Sequence, residues 1–331
     1  MANHDGGAPA DLRPGSADLA TGPGSDGSSA SGPYFPSGAP YAKDISAAPL
    51  DGQSAATLAW LQNAGGWGTG TMRIDFSITV LQSDESTPFR AFDQTDDFFS
   101  PDCDFLPMPL PPGGALEGEV GYQCLGGGDC HLIVNDAPSR KLYEMWRADL
   151  SGNSFRGGCL VVWDLTRVYP PSGRGEQCTS ADGGGFPIAP LLFTADEVAA
   201  GSIDHAIRFV LPNERIQKHV YVHPGTHSTS STSGPDAAPP YGARLRLRAS
   251  YPLQQLPSDA ARTVARALQR YGMFLADGGD IALTAESDRT TKAKWGALLG
   301  GDDLGQLEVS DFEMVEAGQR FAFTGDCVRN P

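Results

Sequence analysis

From Met72 to Leu81 apolar and polar residues alternate. Met72, Ile74, Phe76, Ile78 and Val80 fall on one face; Arg73, Asp75, Ser77 and Thr79 fall on the other. A period of two predicts a half-buried strand. Similar runs follow: CHLIVND from Cys130, RKLYEMW from Arg140, CLVVWDL from Cys159, HAIRFVL from His205, HVYVH from His219 and ARLRLRA from Ala243. Turn chemistry separates several of them, as at Asp136-Ala137-Pro138, Ser151-Gly152-Asn153 and Pro212-Asn213. Helical signals are fewer. Ser54 to Gln62 reads as a short helix. Thr194 and Glu197 form a capping box closed by Gly201. Ser258 caps a helix with a Val264, Leu268, Tyr271 stripe that ends at Gly272. A further helix is expected over Lys292 to Leu299. The pattern predicts a mainly β fold, an antiparallel β-sandwich or jelly-roll with a few peripheral helices.

Composition changes the picture at the N-terminus. Residues 1–33 contain no aromatic residue, and only Met1, Leu12 and Leu19 are larger apolar side chains. That stretch cannot bury enough surface to offset ordering, so it is expected to be a disordered Gly/Ser/Pro/Asp-rich tether. Residues 34–331 then form one β-rich catalytic domain. A long acidic insertion lies near 83–129, with Phe89, Phe92, Phe98 and Phe99 among its carboxylates. Six cysteines, none in a CxxC pair, suit disulfides in an oxidising compartment, and their pairing is open. A secreted, cell-surface or periplasmic location is expected, with an export segment upstream of the sequence as it stands. The formal charge of −16 opposes a nucleic-acid partner. No run is apolar enough to span a bilayer. A monomer is expected, with no cofactor and no metal.

His219, His223 and His227 fall at steps of four, a spacing that on a helix builds zinc sites. HVYVH alternates instead, so this is a strand running into a loop at Pro224-Gly225, and no HExxH glutamate is present. Ordinary hydrogen-bonded histidines are the plainer reading, and His227, at the strand-to-loop corner, is the best placed for a site. Asp182 precedes three glycines, which let backbone approach a ligand closely. A carboxylate pinned there can act as acid, base or nucleophile, although an Asx-turn is the commoner use. Asp196 and Glu197 are explained by the helix start. Glu117 and Glu119 share a face if their segment is extended. Asp277 ends an apolar strand before a glycine pair. Arg244, Arg246 and Arg248 form a stripe that fits a cross-strand ion-pair ladder or, more sharply, a sugar subsite. There is no GxSxG, phosphate loop or dinucleotide fingerprint.

Five stretches together resemble a group of secreted bacterial proteins, across Tyr34 to Asp311. They are Glu117-Gly118-Glu119, Asp129-Cys130-His131, Thr179 to Gly185, Tyr221 to His227 and Tyr271 to Asp277. Cys130 departs from the group's pattern and leaves the role of His131 open. The resemblance implies export and a site built from Glu117, His131, Asp182, His227 and Asp277. Taken together, the expectation is a secreted glycoside hydrolase acting on a neutral cell-wall polysaccharide such as a β-glucan. Glu117 and Asp182 would be the catalytic carboxylates, with Asp277 beside them. His131, His227, Trp163, Tyr221 and Arg246 would bind substrate. Trp146 and Tyr143 are further stacking candidates, although core packing is the favoured reading of such aromatics. Two other classes stay open: a non-catalytic carbohydrate-binding or cell-surface module, and a polysaccharide lyase or metal-dependent hydrolase using His223 and His227.

Overall fold

The computed structural model describes residues 34–125 and 128–330. The tether expected over residues 1–33 lies outside the described residues. The fold is mainly β. Ten strands make the two larger sheets: β1 (Ile74–Ile78), β2 (Val80–Ser83), β3 (Leu132–Asp136), β4 (Lys141–Trp146), β5 (Cys159–Asp164), β6 (Ile207–Leu211), β7 (Arg244–Leu247), β8 (Met273–Gly278), β9 (Leu283–Glu286) and β10 (Phe312–Met314). One sheet has the order β1-β9-β6-β8-β7-β10; the other has the order β5-β4-β3-β2. Both are mixed. β1 runs parallel to β9, β6 parallel to β8, and β2 parallel to β3, while the other neighbours are antiparallel.

Alternation within the smaller sheet explains how the layers stack. Ile133, Leu142, Val161 and Trp163 point into a core shared with the larger sheet. Their neighbours Leu132, Val134, Tyr143, Met145 and Leu160 point the other way, into a second cluster. Phe92, Met108 and Leu116 of the acidic insertion complete that cluster. The insertion therefore covers an outer sheet face that would otherwise meet water. Each large side chain fully buried this way contributes roughly 1.5–3 kcal/mol.

The first alternating run is not one strand. It breaks at the buried Thr79, and its two halves join different sheets. Helix α1 (Ser54–Asn63) is the short helix expected from Ser54, and the next two begin where their caps stand. Thr194 and Glu197 cap each other before α2 (Ala195–Ala200), and Gly201 closes it with φ 83°. Ser258 accepts from the Ala261 amide ahead of α3 (Asp259–Arg270). The helix expected over Lys292 to Leu299 is only a 3-10 turn, Trp295–Ala297. Lys294 is extended (φ −126°, ψ 136°), so the turn starts only at Trp295, and side chains of neighbouring segments hold the amides around it. Lys292 and Ala293 donate to Asp196, and Trp295 donates to Asp288. All six cysteines are paired: Cys103–Cys159, Cys124–Cys130 and Cys178–Cys327. Such pairing fits an oxidising compartment. No helix among the described residues is long and apolar enough to cross a membrane.

Candidate functional site

The larger sheet carries a polar group in the middle of its apolar strands. Arg208 on β6 is buried, at 7 % side-chain exposure, and the adjoining strands and the glycine loop supply its partners. Its Nε and Nη2 donate to the two oxygens of Asp182 at 3.1 and 3.0 Å. Nη2 also donates to Asp277 Oδ2 at 3.2 Å, from the end of β8. Nη1 donates to Thr284 on β9 at 2.8 Å.

The loops that deliver the acids are pinned by backbone hydrogen bonds. Gly184 donates to the Ala276 carbonyl, which anchors the glycine loop against the end of β8. A Cβ on Gly183 would stand 2.5 Å from Asp277 Oδ1, so a side chain there would push the Asp277 carboxylate aside. His227 Nδ1 bonds the Gly183 carbonyl at 2.8 Å. Glu117 arrives from the acidic insertion. Its amide donates to the His131 carbonyl, and the Gly118 amide donates to the Ser77 carbonyl beside β1. The Ser77 hydroxyl donates to Glu117 Oε1 at 3.3 Å. The Glu117 carboxylate then meets His131 Nδ1 at 2.6 Å, and His131 Nε2 donates to the Ala181 carbonyl at 3.0 Å, one residue before Asp182. A continuous chain of contacts thus joins Glu117, His131, Ala181, Asp182, Arg208 and Asp277.

The environments push these groups apart in protonation. Burial raises the Asp182 carboxyl well above the usual range. Arg208 pulls it down, and a hydrogen bond with Asp277 raises it again. Both Asp182 oxygens nonetheless accept from Arg208, so the two form a buried ion pair with Asp277 at its edge. Burial would also raise Glu117, but the His131 charge and hydrogen bond, with Arg208 and Ser77, outweigh it, and the net shift is downward. Burial lowers His131, and the Glu117 charge more than reverses this, to about 9. His227 is lowered by burial. Access differs as well. Asp182 is sealed from solvent, whereas the Asp277 and Glu117 side chains are 25 % and 22 % exposed.

The structure thus brings together Glu117, His131, Asp182, His227 and Asp277, and it corrects several expectations. Asp182 makes no Asx-turn with its carboxylate and cannot touch a substrate directly; it stands behind Asp277. His131 faces Glu117 and backbone rather than open space. Trp163 is buried at the core, where its indole donates to Glu144. Tyr221 is fully buried, stacked on Phe321 and bonded to Glu176. Neither offers a free ring face to a sugar. Arg246 is buried in the ladder reading, bonded to Glu313 across the β7–β10 pair and to the Ile45 and Ala48 carbonyls. His223 is held by Glu176 at 2.7 Å, apart from the Gly183 contact of His227. Glu119 accepts from the Leu125 amide. Among the described residues, the only two groups with metal-ligand proximity each include a pair of disulfide sulfurs, which offer no thiolate.

Arg208 and Thr284 were not singled out from sequence. Arg208 did leave a signal, being a lone charge inside the apolar run IRFVL. A central strand can bury an arginine only beside acids.

No family model, curated protein or solved structure matches the chain.

Proposed function

We propose that this corner is the active site of a secreted glycoside hydrolase acting on a neutral wall polysaccharide. The observation that carries the reading is the grouping around Arg208. One guanidinium holds a sealed Asp182 and a solvent-facing Asp277, while Glu117, its carboxyl held down by His131, lies within the same field. Carboxyls whose environments drive their protonation apart are the working parts of acid–base catalysis.

In this mechanism Asp182 and Asp277, two carboxyls on one guanidinium, share a single proton. Asp277 delivers it to the glycosidic oxygen as the bond to the anomeric carbon breaks. Glu117, kept ionised by His131, supplies the base or nucleophile on the other side. Water provides the new bond at the anomeric carbon, and its second proton restores the dyad. Arg208 and His131 are positioning groups in this scheme. Three disulfides and the resemblance to secreted bacterial proteins support an exported protein.

The test is a reducing-sugar release screen over fungal, algal and bacterial wall polysaccharides. Glu117→Gln and Asp277→Asn should each lower release by about 10²-fold or more, in chains whose circular dichroism shows the fold retained. Release equal to the parent in both variants would discard this site. Retention on a polysaccharide without release would identify a binding module.

A further inference from the structure

Beside the smaller sheet, the acidic insertion and the hairpin at Asn153 enclose a cavity of about 410 Å³, within the roughly 300–1,000 Å³ usual for small-ligand sites. None of its lining residues belongs to the Arg208 corner. One wall is a three-stranded ribbon, in which Ser154–Gly157 lies between Asp93–Gln94 and Asp149–Ser151.

Alternation decides what this ribbon presents. Phe155 turns inward to the second core cluster, so Arg156 faces out and lines the cavity. Arg156 lies in register with Asp93 on one side and Asp149 on the other. Asp149 accepts instead from the Cys124 amide at 3.0 Å and from the Ser151 hydroxyl. Asp97 is held by Thr95 and Arg147. Among the described residues, the Arg156 guanidinium and the Asp96 carboxylate make no hydrogen bond or ion pair. Both are therefore free to meet a ligand.

The lining sets three aspartates against two arginines. A small anion would meet the acids and a small cation the guanidiniums, so an isolated charge gains little there. A sugar meets both favourably, because its hydroxyls donate to carboxylates and accept from guanidinium N–H groups. Apolar surface lies alongside. The Arg147 guanidinium stands 5.4 Å over Trp146, and Phe99, two residues beyond Asp97, leans on the same indole at 6.3 Å. Phe99 is 47 % exposed, so its ring is open to the C–H face of a sugar.

We propose that this cavity is a second carbohydrate-binding site, in which Arg156 and Asp96 hydrogen-bond the hydroxyls of a neutral glycan and Phe99 stacks on its ring. This rests on the polysaccharide half of the reading above and not on its cleavage step. A second foothold on a polymer raises the effective concentration of chain at the Arg208 corner.

The experiment is affinity electrophoresis of the full chain in gels containing soluble β-1,3-glucan or hydroxyethylcellulose, beside gels without polymer. Arg156→Gln keeps most of the apolar stem and removes the guanidinium. Phe99→Leu keeps bulk and removes the ring. Circular dichroism checks that both retain the fold. Each of these, and Asp96→Ala, should raise the dissociation constant about tenfold. Turnover of a soluble chromogenic diglucoside should stay at the parent's level in all three. A parent that neither polymer retards would overturn the inference, as would parent-like retardation of all three variants. So would retardation lost only in Glu117→Gln or Asp277→Asn, which would place binding at the Arg208 corner. Calcium or a lysine-rich peptide bound in a manner that Asp96→Ala abolishes, with no retardation by either glycan, would make the cavity a cation site and also overturn it. Retardation that the three variants weaken, in a parent that cleaves nothing, would keep this site and reject the hydrolase. Cleavage by a parent whose three variants bind normally would do the reverse.

Discussion

At the residue scale, Arg208 is the side chain on which the others depend. Its guanidinium is taken out of water and held by the acids that face it and by Thr284. Arg208→Met should destabilise the chain by about 3–5 kcal/mol, because it leaves Asp182 sealed and unpaired. The double variant Arg208→Met/Asp182→Leu removes both ends and should recover most of that loss. Urea denaturation of the two proteins checks it; equal losses in both would mean that the pair is not the cause. Protonation sets a second expectation at this scale. His131 holds its proton to about 9 in the fold against 6.5 for a free imidazole, so its pairing stabilises fully below about 6.5 and fades as pH rises through about 9. Burial raises Glu144, which accepts from Trp163, Ile188 and Ala189, from 4.5 to about 7. Ionising it therefore weakens the fold progressively above 4.5, and the penalty is complete above about 7. Both groups act in the same direction. The urea midpoint should fall steadily from pH 5 to pH 9, and a flat profile would contradict the two assignments.

Among the elements, the C-terminal segment works as a strap. Strand residues Val328–Arg329 pair with Gly175–Glu176, and Cys327 is bonded to Cys178, four residues ahead of Asp182. Arg320–Ala322 pairs with Val220–Val222, and Phe323 reaches His227. The cross-link spans a sequence separation of 149 residues. Closing a loop that long removes about 5 kcal/mol of unfolded-state freedom on the chain-entropy account. The Cys178→Ser/Cys327→Ser variant should lose a large part of that stability. The same change at Cys124 and Cys130, six residues apart, should lose much less, about 2 kcal/mol. Thermal unfolding of the two variants gives the comparison. Helix α3 gives a smaller case: Ser258→Ala removes its only side-chain cap and should lower stability by about 1 kcal/mol.

Over the whole molecule, the acidic insertion and the core sheets form one unit. The insertion buries Phe92, Met108 and Leu116 over the outer face of the smaller sheet, and the same insertion delivers Glu117 to His131. Packing and site are thus coupled through one segment, and Cys103–Cys159 ties that segment to β5. What the sequence determined alone was local. Alternation located the strands because side chains on a pleat must face core or water in turn. Thr194, Ser258 and Gly201 marked helix ends because those backbone groups need specific partners and angles. Asp182 stood out beside three glycines, Asp277 at a strand end, Glu117 as one of a pair with Glu119 and His227 at a strand-to-loop corner, while His131 came only from the resemblance. Contacts across hundreds of residues were decided only by the tertiary structure. It split the first strand at Thr79 between two sheets, made both sheets mixed, and turned Trp163, Tyr221 and Arg246 inward. It placed Asp182 behind Asp277 rather than in front. Each of these outcomes depends on which strand lies beside which, and a side chain's exposure and protonation follow from neighbours that a one-dimensional pattern does not contain.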